Sequence, residues 1–337
     1  MHSRTIDRRQ ILKGGVAAAI LGAIPSWAQS IGARAPFPIF DSHAHFYSAD
    51  TAKYPAKADV DQRRLATIKI SPMTPDVVVK QYWEQAGITK GTGVQYNTIY
   101  GTDNAYVLDV GAANPGRVLP VVILSATDPA TPDTLRRMTR DNRIAGVRLF
   151  GSPVNGEFEF FADAALPAWT AVDELGIAMV LMLVGGDLDH TMGRVREFAK
   201  RFPNVRIVLD HLGYPDPKLF PSTFGLTPNH LAAAGQHNLY WKLSSYHLTT
   251  RLDPAKADLK GFVDYVAKLY GSNHMMWGSD IGNTPGTIDQ HLALLQRTLD
   301  ATAHTKDADR RAIFFDTANT VFVPGGTGIY KTRKSAA

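Results

Sequence analysis

No cysteine occurs anywhere in the 337-residue chain. Disulfide staples, thiolate zinc sites and a cysteine nucleophile are therefore excluded. Long apolar runs are missing too: no stretch reaches the roughly 20 residues that a membrane-spanning helix needs. Charge is not clustered either, since no run of lysine and arginine marks a basic patch. Nucleic acid and membrane surfaces are accordingly not expected as partners. No Gly-rich phosphate loop follows the first candidate strand, no internal repeat recurs and no low-complexity tract stands out.

The first 28 residues read differently from the rest. "DRRQILKGGVAAAILGAIPSWA" has a basic start, a short apolar middle and a small-x-small ending at Ser26-Trp27-Ala28. That is the plan of an export signal cleaved before Gln29. Arg8-Arg9 followed by Gln10-Ile11-Leu12-Lys13 resembles a twin-arginine export motif. The expectation is a signal over residues 1–28, one globular domain over 29–337, and a periplasmic or otherwise exported product with no stable membrane insertion; a retained N-terminal anchor is the alternative. The segment holds Arg4, Arg8, Arg9 and Lys13 against Asp7, so +2 of the formal +5 charge belongs to the remainder.

With 45% hydrophobic and 20% charged residues, the chain has ordinary globular composition. Eight short apolar runs follow a Pro-rich entry: "PIFDSHAHF", "TGVQYNTIY", "RVLPVVILS", "IAGVRLFG", "IAMVLMLVG", "NVRIVLDHLG", "LYWKLSSY" and "HMMWGSD". They are continuous rather than alternating, as strands of a parallel sheet covered on both faces should be. Segments of helical spacing lie between them, such as "ADAALPAWTAVDELG" and "TIDQHLALLQRTLDATA". Eight alternating units in roughly 250 residues are the count and size of a (β/α)8 TIM barrel. An open doubly wound sheet is the runner-up. The polar stretch from Ala49 to Ile70 is expected to be a loop or lid over the barrel mouth.

"IFDSHAHFY", residues 39–47, places two histidines one residue apart where the first strand ends. Strand periodicity puts Asp41, His43 and His45 on one face, with Ser42 and Ala44 on the other. Three ionisable groups buried together are costly unless something binds them. TIM-barrel sites lie at the C-terminal strand ends, and several other strands end in similar chemistry. The sixth gives Asp210 and His211, the seventh Lys242 followed by Tyr246 and His247, the eighth Asp280, and the fourth carries Arg148. Each alone has a plainer reading. Asp280 could cap a helix, Arg148 could pair with a nearby carboxylate, and Lys242 could run its stem along the barrel to water. Together they converge on one rim.

"DSHAHF", "VLDHLG" and "WGSD" together resemble the amidohydrolase superfamily, in its amidohydrolase-related (family 2) group, from about Phe40 to Asn319. "YNTIYGTDNAYVLDV" is similar to that group's lactonase branch, which acts on pyrone-dicarboxylate and sugar lactones. The resemblance implies a divalent metal or a substrate carbonyl at His43 and His45, with His211 and the proton-accepting Asp280 beside them. It also implies a metal set of His43, His45 and Asp280 if zinc or manganese is bound. Two departures bear on this: strand four offers Arg148 where two-metal members carry a bridging Lys or Glu, and strand five offers no histidine. One metal or none is expected, not two.

Ester or lactone hydrolysis needs a base for water and positive charge where the oxyanion develops. Asp280 fits the first role; His43, His45 and His211, or a metal they hold, fit the second. Arg148 and Lys242 would favour an anionic small molecule. Tyr100, Asn104, Tyr246 and His247, with Asp103, would shape its pocket. The expected function is opening of a carboxylated or sugar-derived lactone. Metal-dependent decarboxylation of an aromatic or muconate-like acid is the first alternative, and a non-catalytic exported binding protein the second.

Overall fold

The computed structural model describes residues 35–323 apart from Arg143 and Ser152. The expected signal over 1–28 lies outside the described residues. Eight parallel strands follow one another around a barrel: β1 (Ile39–His45), β2 (Ile88–Val94), β3 (Val118–Ser125), β4 (Gly146–Phe150), β7 (Ala178–Leu181), β8 (Ile207–Leu209), β9 (Leu239–Ser244) and β10 (Met275–Gly278). A small antiparallel hairpin, β5 (Pro153–Val154) with β6 (Glu157–Phe158), interrupts the series. The backbone running on from β10 closes the ring against β1: Asp280 N–H donates to His43 O at 2.7 Å and His45 N–H to Ile281 O at 2.9 Å. This is the single-domain (β/α)8 barrel expected from the strand count.

Valine, isoleucine and leucine fill the strands because both faces are covered. The outer face packs under amphipathic helices such as Leu166–Leu175 and Leu188–Arg201, which bury Trp169 and Phe198. Inside, Phe40, Val94, Val121, Val180 and Met276 form a separate apolar plug with Phe322 of the C-terminal helix Thr317–Phe322. That plug leaves the polar interior side chains to gather in the part of the barrel it does not fill.

Three details differ from the sequence reading. β2 begins at Ile88 and ends at Val94, not over Thr92–Tyr100; Asn97–Tyr100 is a helical turn. Gly91 and Gly93 weaken the strand signal, while "NTIY" carries β-branched and aromatic residues that imitate one. The stretch 49–70 is not all loop, since Gln62–Ile70 is a helix N-capped by Asp61. The third difference lies in β1. It bulges between Asp41 and Ala44, which oppose Gly91 and Gly93 of β2. The extra residue breaks the period of two, so Asp41 leaves the face it was expected to share with His43 and His45.

Candidate active site

Asp41 illustrates what the bulge does. Its carboxylate accepts from the His43 and Ser279 backbone N–H groups, from Ser279 Oγ at 2.6 Å and from Trp83 Nε1 at 3.0 Å. Burial pushes its pKa up in spite of these donors. Asp41 thus clamps β1 to the end of β10. Gly278 lets the two strands approach, because a Cβ there would stand 2.8 Å from His43 Cβ.

His43 and His45 converge as the sequence suggested, with Nε2 atoms 3.1 Å apart. His45 Nδ1 lies 2.9 Å from Val94 O, an acceptor only, so Nδ1 carries the proton and Nε2 presents a lone pair. His43 Nδ1 stands 3.2 Å from Asp210 Oδ1 and 3.3 Å from Lys242 Nζ, so an acceptor and a donor compete for the same ring nitrogen. Asp280 Oδ1 completes the triangle, 3.4 Å from His43 Nε2 and 3.5 Å from His45 Nε2. Its other oxygen is anchored, accepting from Thr284 Oγ1 at 2.7 Å and Asn283 Nδ2 at 3.0 Å. Burial raises the Asp280 pKa, and donation from His45 with positive charge on the neighbouring imidazoles is what lowers it below the usual carboxylate range. Asp280 is also one of the few non-glycine residues with a left-handed backbone, φ +51°. Strain of this kind persists where surrounding structure imposes it, and it clusters at functional sites.

His43 Nε2, His45 Nε2 and Asp280 Oδ1 face one another in a buried site, an arrangement that calls for a cation or proton between them. His43, His45 and Asp280 could hold a metal ion, and all three are buried. The edges of the triangle, 3.1 to 3.5 Å, are close to the roughly 3.3 Å edge of a tetrahedral zinc site with bonds near 2.0 Å. One feature opposes an ion: Arg148 Nη2 lies 3.4 Å from His43 Nε2 and competes for its lone pair.

Arg148 and Lys242 are not free anchors. Arg148 Nη2 donates to Asp210 Oδ2 at 2.6 Å and Lys242 Nζ stands 3.0 Å from Asp210 Oδ1, every partner fully or almost fully buried. The two cations hold the Asp210 pKa well below its ordinary value against the opposing effect of burial. Burial lowers that of Lys242, and Asp210 partly restores it. Lys242 therefore does not reach water; one carboxylate between two cations sits behind His43. Burial, reinforced by Lys242, lowers the His43 pKa, so its ring is neutral at pH 7.

His211 packs against His43 with ring centroids 5.0 Å apart, and burial lowers its pKa to about 4. Its Nδ1 lies 2.6 Å from Ser244 Oγ, and Nε2 makes no hydrogen bond among the described residues. Residues His211, Leu212, Gly213 and Tyr214 all take positive φ, a left-handed turn that swings the ring onto the cluster. Tyr246 lies 4.6 Å from the same ring, half-buried.

The other expected pocket residues serve the fold. Asn104 bonds Ile123 through both ends of its amide and Thr102 O through its nitrogen, tying a loop to β3. Tyr100 OH accepts from Ser48 N–H. His247 is fully buried with its ring stacked on Phe262. Asp103 is exposed and caps Ala105 N–H. Residue types and spacing gave no sign of Tyr96, whose ring packs 4.7 Å from His45 and whose OH donates to Asn283 Oδ1. Asn283 and Thr284 were also missed, although their place just after Asp280 on a turn was a usable signal.

The barrel thus carries a convergent His-His-carboxylate triangle at its strand ends. The chain belongs to the amidohydrolase family, whose model matches residues 40–322. It is 25% identical to an L-fucono-1,5-lactonase of Burkholderia ambifaria over 223 residues, 62% of this chain and 73% of that one. Among solved structures, the proposed 2-pyrone-4,6-dicarboxylic acid hydrolase of Pseudomonas putida superposes with a TM-score of 0.64 at 21% identity, covering 85% of this chain and 97% of that one. A zinc-bound amidohydrolase of Burkholderia multivorans gives 0.63 at 18% identity, with 85% and 99% covered. The 2,6-dihydroxybenzoate decarboxylase of Rhizobium gives 0.61 at 14%, with 85% and 98% covered. Among the described residues, no helix is long and apolar enough to cross a membrane.

Proposed function

We propose that the protein hydrolyses a lactone bearing negative charge. The observation that carries this reading is Asp280 Oδ1: buried, without a hydrogen-bond partner among the described residues, and aimed at the Nε2 atoms of His43 and His45 while Oδ2 is anchored. A carboxylate so placed is ready to accept a proton from water. The water oxygen attacks the lactone carbonyl, the ring C–O bond breaks, and the proton passes from Asp280 to the departing alkoxide. His211 is neutral at pH 7, and the tautomer in which Ser244 donates to Nδ1 leaves Nε2–H as a donor for the developing oxyanion. A zinc or manganese ion held by His43, His45 and Asp280 would supply Lewis-acid polarisation of the same carbonyl. The fuconolactonase likeness supports a lactone as substrate. A cavity of about 400 Å³ lies beside the site: Tyr214, whose ring lies 5.1 Å from that of His211, lines it together with Arg251, Asp187 and Asp216.

The test is hydrolysis of carboxylated and sugar lactones by the purified protein, before and after chelation, alongside Asp280→Asn. The expected loss in the variant is about 10²–10⁴-fold in kcat, with the fold intact by circular dichroism. Activity restored by zinc or manganese after chelation would place the ion at His43 and His45. The decarboxylase likeness in fold supports a second reading. No lactone opening, with carbon dioxide released from a dihydroxybenzoate instead, would overturn the first reading in its favour.

A further inference from the structure

Arg148 and Lys242 are both bound to Asp210, and a further cation stands on the Tyr96 side of the site. We propose that Arg64 is that residue, and that it selects substrates by binding a carboxylate. The helix Gln62–Ile70 carries it, on a segment fixed in place: Lys57 N–H donates to Ile99 O at 2.8 Å, Tyr47 N–H to Met73 O at 3.0 Å, and Ile68 is buried. The Arg64 guanidinium lies 5.7 Å from the centre of the Tyr96 ring, the ring that packs against His45 and is tied through Asn283 to Asp280. It is thus one side chain removed from the triangle.

Its own partners are incomplete. Among the described residues, the other half-buried or buried arginines each meet a hydrogen-bond acceptor. Arg117 meets Glu84, Arg148 meets Asp210, Arg194 meets Glu197, Arg196 meets Asn229, Arg206 meets Gly176 O, Arg251 meets Thr250 O and Arg310 meets Asp307. Arg64 is half-buried and meets none. The nearest acid in sequence, Asp61, uses its carboxylate to accept the Arg64 backbone N–H as the helix cap. A partly desolvated guanidinium without an acceptor is unfavourable. A ring contact of this kind satisfies its face, leaving the N–H edge free for the bidentate bonding that carboxylates accept. Tyr96 itself is 2% exposed, so a carboxylate would meet the guanidinium edge beside the ring and not the ring's own face.

The proposal takes from the lactonase reading only the nature of the molecule that carries the carboxylate, so the test includes a ligand that cannot be hydrolysed. Isophthalate, a flat ring dicarboxylate, is titrated calorimetrically into the wild-type protein, Arg64→Gln, Arg64→Lys and Arg63→Gln. Arg63→Gln removes the same charge from an exposed neighbour. Arg64→Gln is expected to weaken binding about 10–100-fold, with Arg64→Lys intermediate and Arg63→Gln unchanged. In hydrolysis, Arg64→Gln should raise KM for 2-pyrone-4,6-dicarboxylate by the same factor, with kcat within about threefold, and leave the uncharged L-fucono-1,5-lactone unaffected. Equal isophthalate affinity in wild type and Arg64→Gln, no binding to the wild type, or equal losses on both lactones would overturn the proposal. If neither lactone is opened but isophthalate binding still depends on Arg64, the hydrolase reading fails and the carboxylate site stands.

Discussion

Asp280 has two oxygens with different tasks, and the side chains that separate them follow it in sequence. Thr284 and Asn283 hold Oδ2, so Oδ1 has one direction left, toward the histidines. Donors to a carboxylate favour its charged form. Thr284→Val should therefore lower kcat about tenfold and move the acid limb of kcat/KM to higher pH, while Thr284→Ser keeps both near wild type. A pH–rate profile of the three proteins checks this; an acid limb that does not move would leave Thr284 with a packing role only. At this scale much was legible: His43, His45, His211 and Asp280 lie on motifs and come together. Arg148 and Lys242, expected as substrate anchors, both pair with Asp210. A sequence shows two cations at strand ends but not the carboxylate between them, and Asp210 is adjacent to both only in the closed barrel.

β1 and β10 form the element on which the site depends. The bulge at Asp41–Ala44 turns Asp41 away from His43 and His45, and the close approach at Gly278 allows the strands to share Asp41 as a clamp. A methyl group at 278 would have to push His43 or the backbone aside. Gly278→Ala is expected to cost about 1–3 kcal/mol and to lower metal affinity and activity together, measured by urea denaturation and metal titration. Unchanged stability and metal binding would mean that β1 yields freely. Strand order was readable from the apolar runs, since continuous hydrophobicity is what a two-sided parallel sheet requires. The misplaced β2 and the bulge were not, because glycines and pairing register leave no periodic trace.

The whole molecule buries more histidine than the site uses. His211, His230 and His291 have values lowered to about 4, and His247 to about 3, in each case first by burial. All are below the ordinary 6.5, so between roughly pH 6.5 and 4 the unfolded chain binds more protons than the folded one. Stability is therefore full above pH 6.5 and is lost as pH falls, by up to about 1.4 kcal/mol per pH unit for each proton taken up. Asp280 and Asp210, whose values are lowered, add to the loss at the acid end. Melting temperatures at pH 7.5, 6, 5 and 4 should decline progressively below about 6.5; a flat profile down to pH 4 would contradict the neutral burial of these rings.

Composition and pattern alone determined the barrel, the exclusion of cysteine chemistry and the catalytic candidates, because hydrophobic period and residue type are local properties of a chain. Tertiary structure decided which charges are available. Whether Arg148, Lys242, Asn104 or His247 can meet a ligand depends on partners brought in from elsewhere in the chain. In a low-dielectric interior those partners fix both the charge state and the direction of each side chain.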